Sequence, residues 1–163
     1  MQAWLCENPT GVEALQWKEL PTPEPKAGEV RIAIRAASLN FPDLLIVQNK
    51  YQMKPPLPFV PGSEYAGTVE AVGEGVKHLK AGDAVAAFGG TGGFGTHAVV
   101  NAGLVMPLPA GFPFDDAAAM TRAPRTLPIW IAAVPTPPAA PRTSSVSPLL
   151  SWPRSTSAWW VVP

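Results

Sequence analysis

Glycine, lysine and acidic residues all stop at Asp116, and that boundary limits how much of this 163-residue chain can build a packed fold. All 14 Gly, all 6 Lys and all 12 Asp and Glu lie at or before it. Residues 1–120 carry 6 Lys and 2 Arg against 12 acids, net −4, whereas residues 121–163 carry 4 Arg and no acid, net +4. The second stretch also holds 9 of the 21 Pro, spaced so that no helix longer than about two turns and no central strand fits between them. Its apolar residues follow neither a period of 2 nor one of 3.6. Ordering it would cost roughly 1–2 kcal/mol of backbone entropy per residue, with no patterned face to offset that. We therefore expect residues 121–163 to be a disordered, Pro-rich tail. Trp130, Trp152, Trp159 and Trp160 are unusual in such a tail, because exposed aromatics promote aggregation. Pro, Ala, Arg, Ser, Thr and Trp without Gly, Lys or acid is the composition that out-of-frame reading of a GC-rich gene gives. The expectation is a frameshift near Met120. A genuine Pro-rich linker and a PxxP ligand at residues 135–138 or 138–141 are the other readings.

Composition narrows the function classes. Formal charge is zero and no basic stripe is present, so nucleic acid is not an expected partner. No apolar run reaches the roughly 18 residues of a spanning helix, and the N-terminus lacks a basic start with an apolar run, so neither a membrane partner nor a signal peptide is expected. Cys6 is the single cysteine, which rules out an internal disulfide and a thiolate metal cluster. A reducing, cytoplasmic location fits best.

Residues 29–36 alternate, with Val30, Ile32, Ile34 and Ala36 on one side and Arg31 and Arg35 on the other, which predicts a half-buried strand. Further strands are expected at residues 2–6, 14–20, 64–72, 84–88 and 97–100, with turns at 21–25, 73–75 and 80–83. Short strands at close spacing point to a barrel or sandwich. Asn40 before Phe41 and Pro42 is a helix start, so residues 41–47 are expected to be a short helix, and Asp115 and Asp116 begin another. Residues 90–95 read GTGGFG, a literal GxGxxG. A dinucleotide fingerprint needs a helix directly after its last Gly. Here a β-prone run and Pro107, Pro109 and Pro113 follow, so this is read as a Gly-rich hairpin.

SLNFPD at residues 38–43, YQMKPPLPFVPGSEYAG at 51–67 and VEAVGEGVKHLKAGDAV at 69–85 carry a resemblance. Over residues 1–120 the chain resembles the medium-chain dehydrogenase/reductase superfamily, and within it the zinc-independent quinone oxidoreductase and quinone oxidoreductase-like branch. The resemblance implies a mainly β fold: a GroES-like, partly open β-barrel with short helices, forming one wall of an active-site cleft. In the family a Rossmann domain supplies the other wall and most contacts of NAD(P)H. That domain is absent from this sequence.

The resemblance also sorts the chemistry. Zinc-dependent relatives have Cys where this chain has Asn40 and His where it has Ser63, so no zinc is expected; Asp43 and Glu64 alone are a poor donor set. His78 and His97 are read as ordinary surface or strand residues. Hydride transfer to a quinone or enone needs nicotinamide and acceptor stacked in a dry cleft. Asn40 is assigned to orienting the nicotinamide or the acceptor, and Tyr51 to a contact at the cleft mouth. Asn40 as a helix cap alone, and Tyr51 as packing beside Pro55 and Pro56, remain open. Asp43 and Glu64 are supporting residues, Asp43 in the first helical turn and Glu64 within reach of Asn40 or Asp43. The function implied is the substrate-side domain of an NAD(P)H-dependent reductase of a small quinone or enone. It is expected to bind no cofactor and to be inactive by itself, being truncated before the nucleotide-binding domain. The alternative is a non-catalytic interaction module with a Pro-rich tail. A co-chaperonin rests on barrel shape alone.

Overall fold

The computed structural model describes residues 1–120 and 158–161. The expectations of disorder and of a frameshift fall, apart from residues 158–161, outside the described residues. Strands β1 (Gln2–Leu5) and β2 (Gln16–Glu19) form a small antiparallel ribbon, with Trp4 and Trp17 edge to face at 5.5 Å. The main sheet contains β3 (Glu29–Leu39), β4 (Glu64–Val72), β5 (Ala84–Phe88), β6 (His97–Asn101) and β7 (Val105–Pro107), in the order β6-β3-β4-β5-β7. Strand β8 (Ala158–Val161) adds to β3 beyond the end of β6. Helix α1 (Phe41–Val47) follows β3 directly, and α2 (Phe114–Met120) closes the continuous part. The sheet is open, consistent with a GroES-like domain rather than a closed barrel.

β3 organises the molecule. Its first half alternates as expected, placing Val30, Ile32 and Ile34 in the core with Val69, Val85, Val100 and Val105. The assignment of Ala36 to that same side is corrected. Ile34 pairs with Gly67 and Ala36 with the adjacent Ala66, so Arg35 is an extra, bulged residue. A one-residue slip turns the following side chains to the other face. Ala36 therefore joins Ala66 and Ala86 beneath Ala117 and Ala118 of α2, while Ala37 returns to the main core. The strand also runs three residues past Ala36, to Leu39. Gly67 is required opposite the bulge, because a Cβ there would run into the Ala33 carbonyl oxygen.

β7 and β8 were not anticipated. β7 is three residues ending at Pro107. β8 lies in a Pro-free window between Pro153 and Pro163 and takes an edge position, where the rule against central strands does not apply. The GTGGFG loop behaves as a backbone brace. Gly92, Gly93 and Phe94 donate their N–H groups to the carbonyls of Val60, Gly62 and Pro61 at 2.7–2.9 Å, and β6 follows instead of a helix. The same loop ties in the ribbon, with Trp4 N–H donating to Phe94 O at 2.9 Å. No helix among the described residues is long and apolar enough to cross a membrane.

Candidate functional site

At the C-terminal end of β3 the chain passes from strand to helix through Asn40, the N-cap of α1. Asn40 and Asp43 form a capping box: Asp43 Oδ2 accepts the Asn40 N–H at 2.9 Å, and the Asn40 side chain faces the Asp43 backbone N–H. Pro42, in the first turn, suits a helix start whose N–H groups have no intrahelical partner. This local chemistry holds Asn40 rigidly at the end of the sheet.

Beside it, Glu64 begins β4 opposite Ser38. Glu64 Oε2 accepts from Ser38 Oγ and from Asn40 Nδ2, both at 2.9 Å, and Asn40 Nδ2 also donates to Ser38 Oγ at 3.0 Å. On the other side Ser63 Oγ donates to Asp43 Oδ1 at 2.7 Å and lies 3.3 Å from Gly90 O. Ser38, Asp43, Ser63 and Glu64 are all buried, the four polar side chains among the buried described residues. Most buried polar groups are hydrogen-bonded, and these bond one another across β3, α1 and β4.

A cavity of about 210 Å³ opens over this network, lined by Asn40, Pro42, Ile46, Tyr51, Met53, Ser63, Glu64, Phe88 and Gly90. Its floor is polar and its walls apolar, the usual make-up of a small-molecule site. Its volume suits one ring. Tyr51 packs against Cys6, Ile46 and Phe59, and its hydroxyl makes no hydrogen bond among the described residues. Burial pushes the Cys6 thiol up, which keeps it protonated and unreactive.

The structure thus brings Asn40, Tyr51 and Glu64 to one cavity and places Asp43 behind it, on Ser63. Of the two interactions open to Glu64, the one with Asn40 is present. Ser38 was missed by sequence reasoning. Its signal was its place two residues before Asn40, a hydroxyl in an otherwise apolar strand end. Ser63 was noted only as a lost ligand, and Met53 and Phe88 carried no signal. His78 Nε2 lies 3.1 Å from Ala102 O, and His97 contacts Thr96 and Glu70 on the sheet surface, both away from the cavity. No group of three or more His, Cys, Asp or Glu among the described residues is arranged to hold a metal.

An open, bulged sheet with a capped helix over a ring-sized cavity is the GroES-like domain of the medium-chain oxidoreductases. The chain belongs to the alcohol dehydrogenase GroES-like domain family, whose model matches residues 26–110. It is 41% identical over 106 residues to the synaptic vesicle membrane protein VAT-1 homolog of Rattus norvegicus, covering 65% of this chain and 26% of that protein. It is 40% identical over 93 residues to the quinone oxidoreductase-like protein 2 homolog of Nematostella vectensis, covering 56% and 26%. Among solved structures it is similar to Escherichia coli quinone oxidoreductase complexed with NADPH, at 35% identity and a TM-score of 0.69, covering 73% of this chain and 36% of that one. The chain spans about a quarter of the length of these curated relatives.

Proposed function

We propose that this domain forms the acceptor-side wall of a zinc-independent, NAD(P)H-dependent reductase of quinones or enones, with Asn40 and Tyr51 as its cleft residues and Asp43 and Glu64 as their supports. The observation that carries the reading is the cavity itself: apolar Pro42, Ile46, Met53 and Phe88 form the walls, and the polar floor is braced. A planar ring can seat between such walls; Met53 is 41% and Phe88 45% exposed, so water would be excluded, and the hydrogen bonds made there strengthened, only once the other wall of the cleft is in place. Within this set Tyr51 is the residue to polarise an acceptor carbonyl, because its hydroxyl proton is uncommitted among the described residues. Asn40 and Ser63 favour zinc independence. The Asn40 amide nitrogen is turned to a carboxylate and the Ser63 proton to another, and neither group is a good zinc donor.

The residues present fit a nicotinamide ring and not a whole dinucleotide. Ring and carboxamide would meet Asn40 and Tyr51, and the cofactor when bound supplies the hydride. Among the described residues no strand, glycine turn and helix N-terminus are arranged for its pyrophosphate, since the Gly-rich loop spends its N–H groups on residues 60–62. By itself this chain is therefore proposed to show only background quinone-dependent NADPH oxidation. Its lone, buried Cys6 suits the cytoplasm.

The test is titration with 2-cyclohexen-1-one, a ring-sized enone, followed by backbone and side-chain NMR. Resonances of Asn40, Tyr51 and Phe88 should shift together, and Tyr51→Phe should weaken binding by up to about tenfold, the worth of one hydrogen bond. Shifts confined to other surfaces, or steady NADPH oxidation by the chain alone, would sink the reading.

A further inference from the structure

Three atoms beside the cavity close a triangle. Ser38 Oγ donates to Glu64 Oε2 at 2.9 Å, Asn40 Nδ2 donates to Glu64 Oε2 at 2.9 Å, and Asn40 Nδ2 donates to Ser38 Oγ at 3.0 Å. A primary amide nitrogen has two protons, and both are used here. We propose that Ser38 is a positioning residue: it fixes the Asn40 carboxamide with its nitrogen turned to the Ser38–Glu64 pair, so that Asn40 meets a ligand as a hydrogen-bond acceptor.

Proton counting carries the argument. Ser38 is fully buried, and its hydroxyl bonds within the protein, to Glu64. Glu64 offers only acceptors when ionised, so Ser38 must donate to it, and the Ser38 lone pairs then await a donor. The amide nitrogen of Asn40 is that donor. The reverse flip would set the amide oxygen against a carboxylate oxygen, two acceptors without a proton between them. A ligand carbonyl cannot bond the Asn40 nitrogen without opening the triangle. A ligand N–H or O–H, such as a carboxamide or a hydroxyl, can bond the second lone pair of the Asn40 oxygen, the first facing the Asp43 backbone N–H of the capping box. Under the proposed function this assigns Asn40 to the cofactor's carboxamide and leaves the acceptor's carbonyl to Tyr51. That assignment rests on the functional reading, whereas the triangle does not.

The experiment needs no ligand, so its failure and a failure of enone binding are separately visible. In the full chain, side-chain amide exchange of Asn40 is measured by NMR in Ser38→Thr, which keeps the hydroxyl, and in Ser38→Val, which has the same shape without it. Exchange should stay near the parent rate in the Thr variant and rise by about tenfold in the Val variant, the loss of one bond. Equal acceleration in both would reduce Ser38 to a space-filler and overturn the proposal. If neither β-branched side chain is accommodated, Ser38→Ala supplies the same reading, and an unchanged rate there would overturn it. Asn40→Asp tests the contact with Glu64 independently. A carboxylate would then face Glu64, so its carboxyl pKa should rise in the folded state. The variant's stability should be present at low pH and be lost as pH rises through that value. A variant as stable at pH 7 as at pH 5 would show that the side chain at position 40 does not face the Glu64 carboxylate, and would overturn the triangle.

Discussion

Residues 29–34 and residues 36–39 belong to one strand, β3, yet they bury different things. The first stretch buries branched aliphatic side chains on one face and leaves Arg31 on the other, with Val30 and Ile32 wholly excluded from water. The second buries Ala36, Ala37 and Ser38 in succession, on alternating faces, because α2 covers one face and the main core the other. Small side chains are what a strand flanked on both faces can hold beside a helix of alanines. The bulge at Arg35 separates the regimes. Before it the strand is scaffold, and after it the strand delivers Ser38 and then Asn40 to the cavity.

Two deletions give the largest expected contrast. Removing Arg35 takes out the extra residue and leaves Ala36, Ala37 and Ser38 on the faces they now occupy, so this variant should fold, with reduced stability. Removing Ala37 instead swings Ser38 into the apolar core among Ile34, Tyr65 and Val69, and its hydroxyl loses Glu64. A buried, unbonded hydroxyl and a reversed strand end should abolish cooperative unfolding. Thermal melts followed by circular dichroism check this. Two similar melts would mean that the bulge does not set the faces.

Within the scaffold half, Ile32→Ala should cost about 2–5 kcal/mol, the usual range for emptying a wholly buried aliphatic site. Urea titration measures it, and a loss below about 1 kcal/mol would show that the core collapses into the space.

A smaller effect of opposite sign is expected opposite the second half. Tyr65 pairs with Ala37, is fully buried, and its hydroxyl finds no hydrogen-bond partner among the described residues. Tyr65→Phe should therefore raise stability by roughly 1 kcal/mol at neutral pH, by removing an unpaid desolvation cost. Burial pushes the Tyr65 hydroxyl well above its ordinary value. A pKa raised by folding contributes stability that is whole below the unfolded value, about pH 10, and is lost as pH rises beyond it. The advantage of the Phe variant should widen above that pH, and a gap constant to pH 11 would contradict the burial of the hydroxyl.

The two halves were unequally legible. Val30, Ile32 and Ile34 announce their face by alternation, and α1 announces itself through Asn40, Pro42 and Asp43. The bulge is silent in the sequence, because Ala36 and Ala37 are accepted on either face and an exposed Arg35 fits a regular strand equally well. Asn40, Tyr51 and Glu64 came into view through motifs that resemble a known family. Their partner Ser38 lies in the same SLNFPD motif as Asn40 but was given no role, since serine is common on surfaces and tertiary pairing with Glu64 is what gives it meaning. β7 and β8 are too short and too close to Pro for periodicity to register.

The smallest effect belongs to the outer face of the scaffold half. Arg31 Nε bonds Glu70 and Arg31 Nη1 bonds Glu24, each at 2.8 Å, and the Glu24 contact is the first cause of the raised Arg31 pKa. The acids are exposed, Glu24 by 79% and Glu70 by 44%, so water and salt screen both pairs. Exposed ion pairs are worth about 0.2–1 kcal/mol each. Two such pairs bound the cost of Arg31→Gln at about 2 kcal/mol, the bottom of the range expected for Ile32→Ala next to it, and screening should keep it below that. The two differ by a single position along β3, so the comparison isolates face from location. Raising salt to 1 M shortens the screening length to about 3 Å and should erase most of the Arg31→Gln effect while leaving that of Ile32→Ala in place. An Arg31→Gln loss that matches Ile32→Ala and persists at 1 M salt would mean that the outer face of β3 is held by packing of the arginine stem, and that the strand's first half is not one-sided.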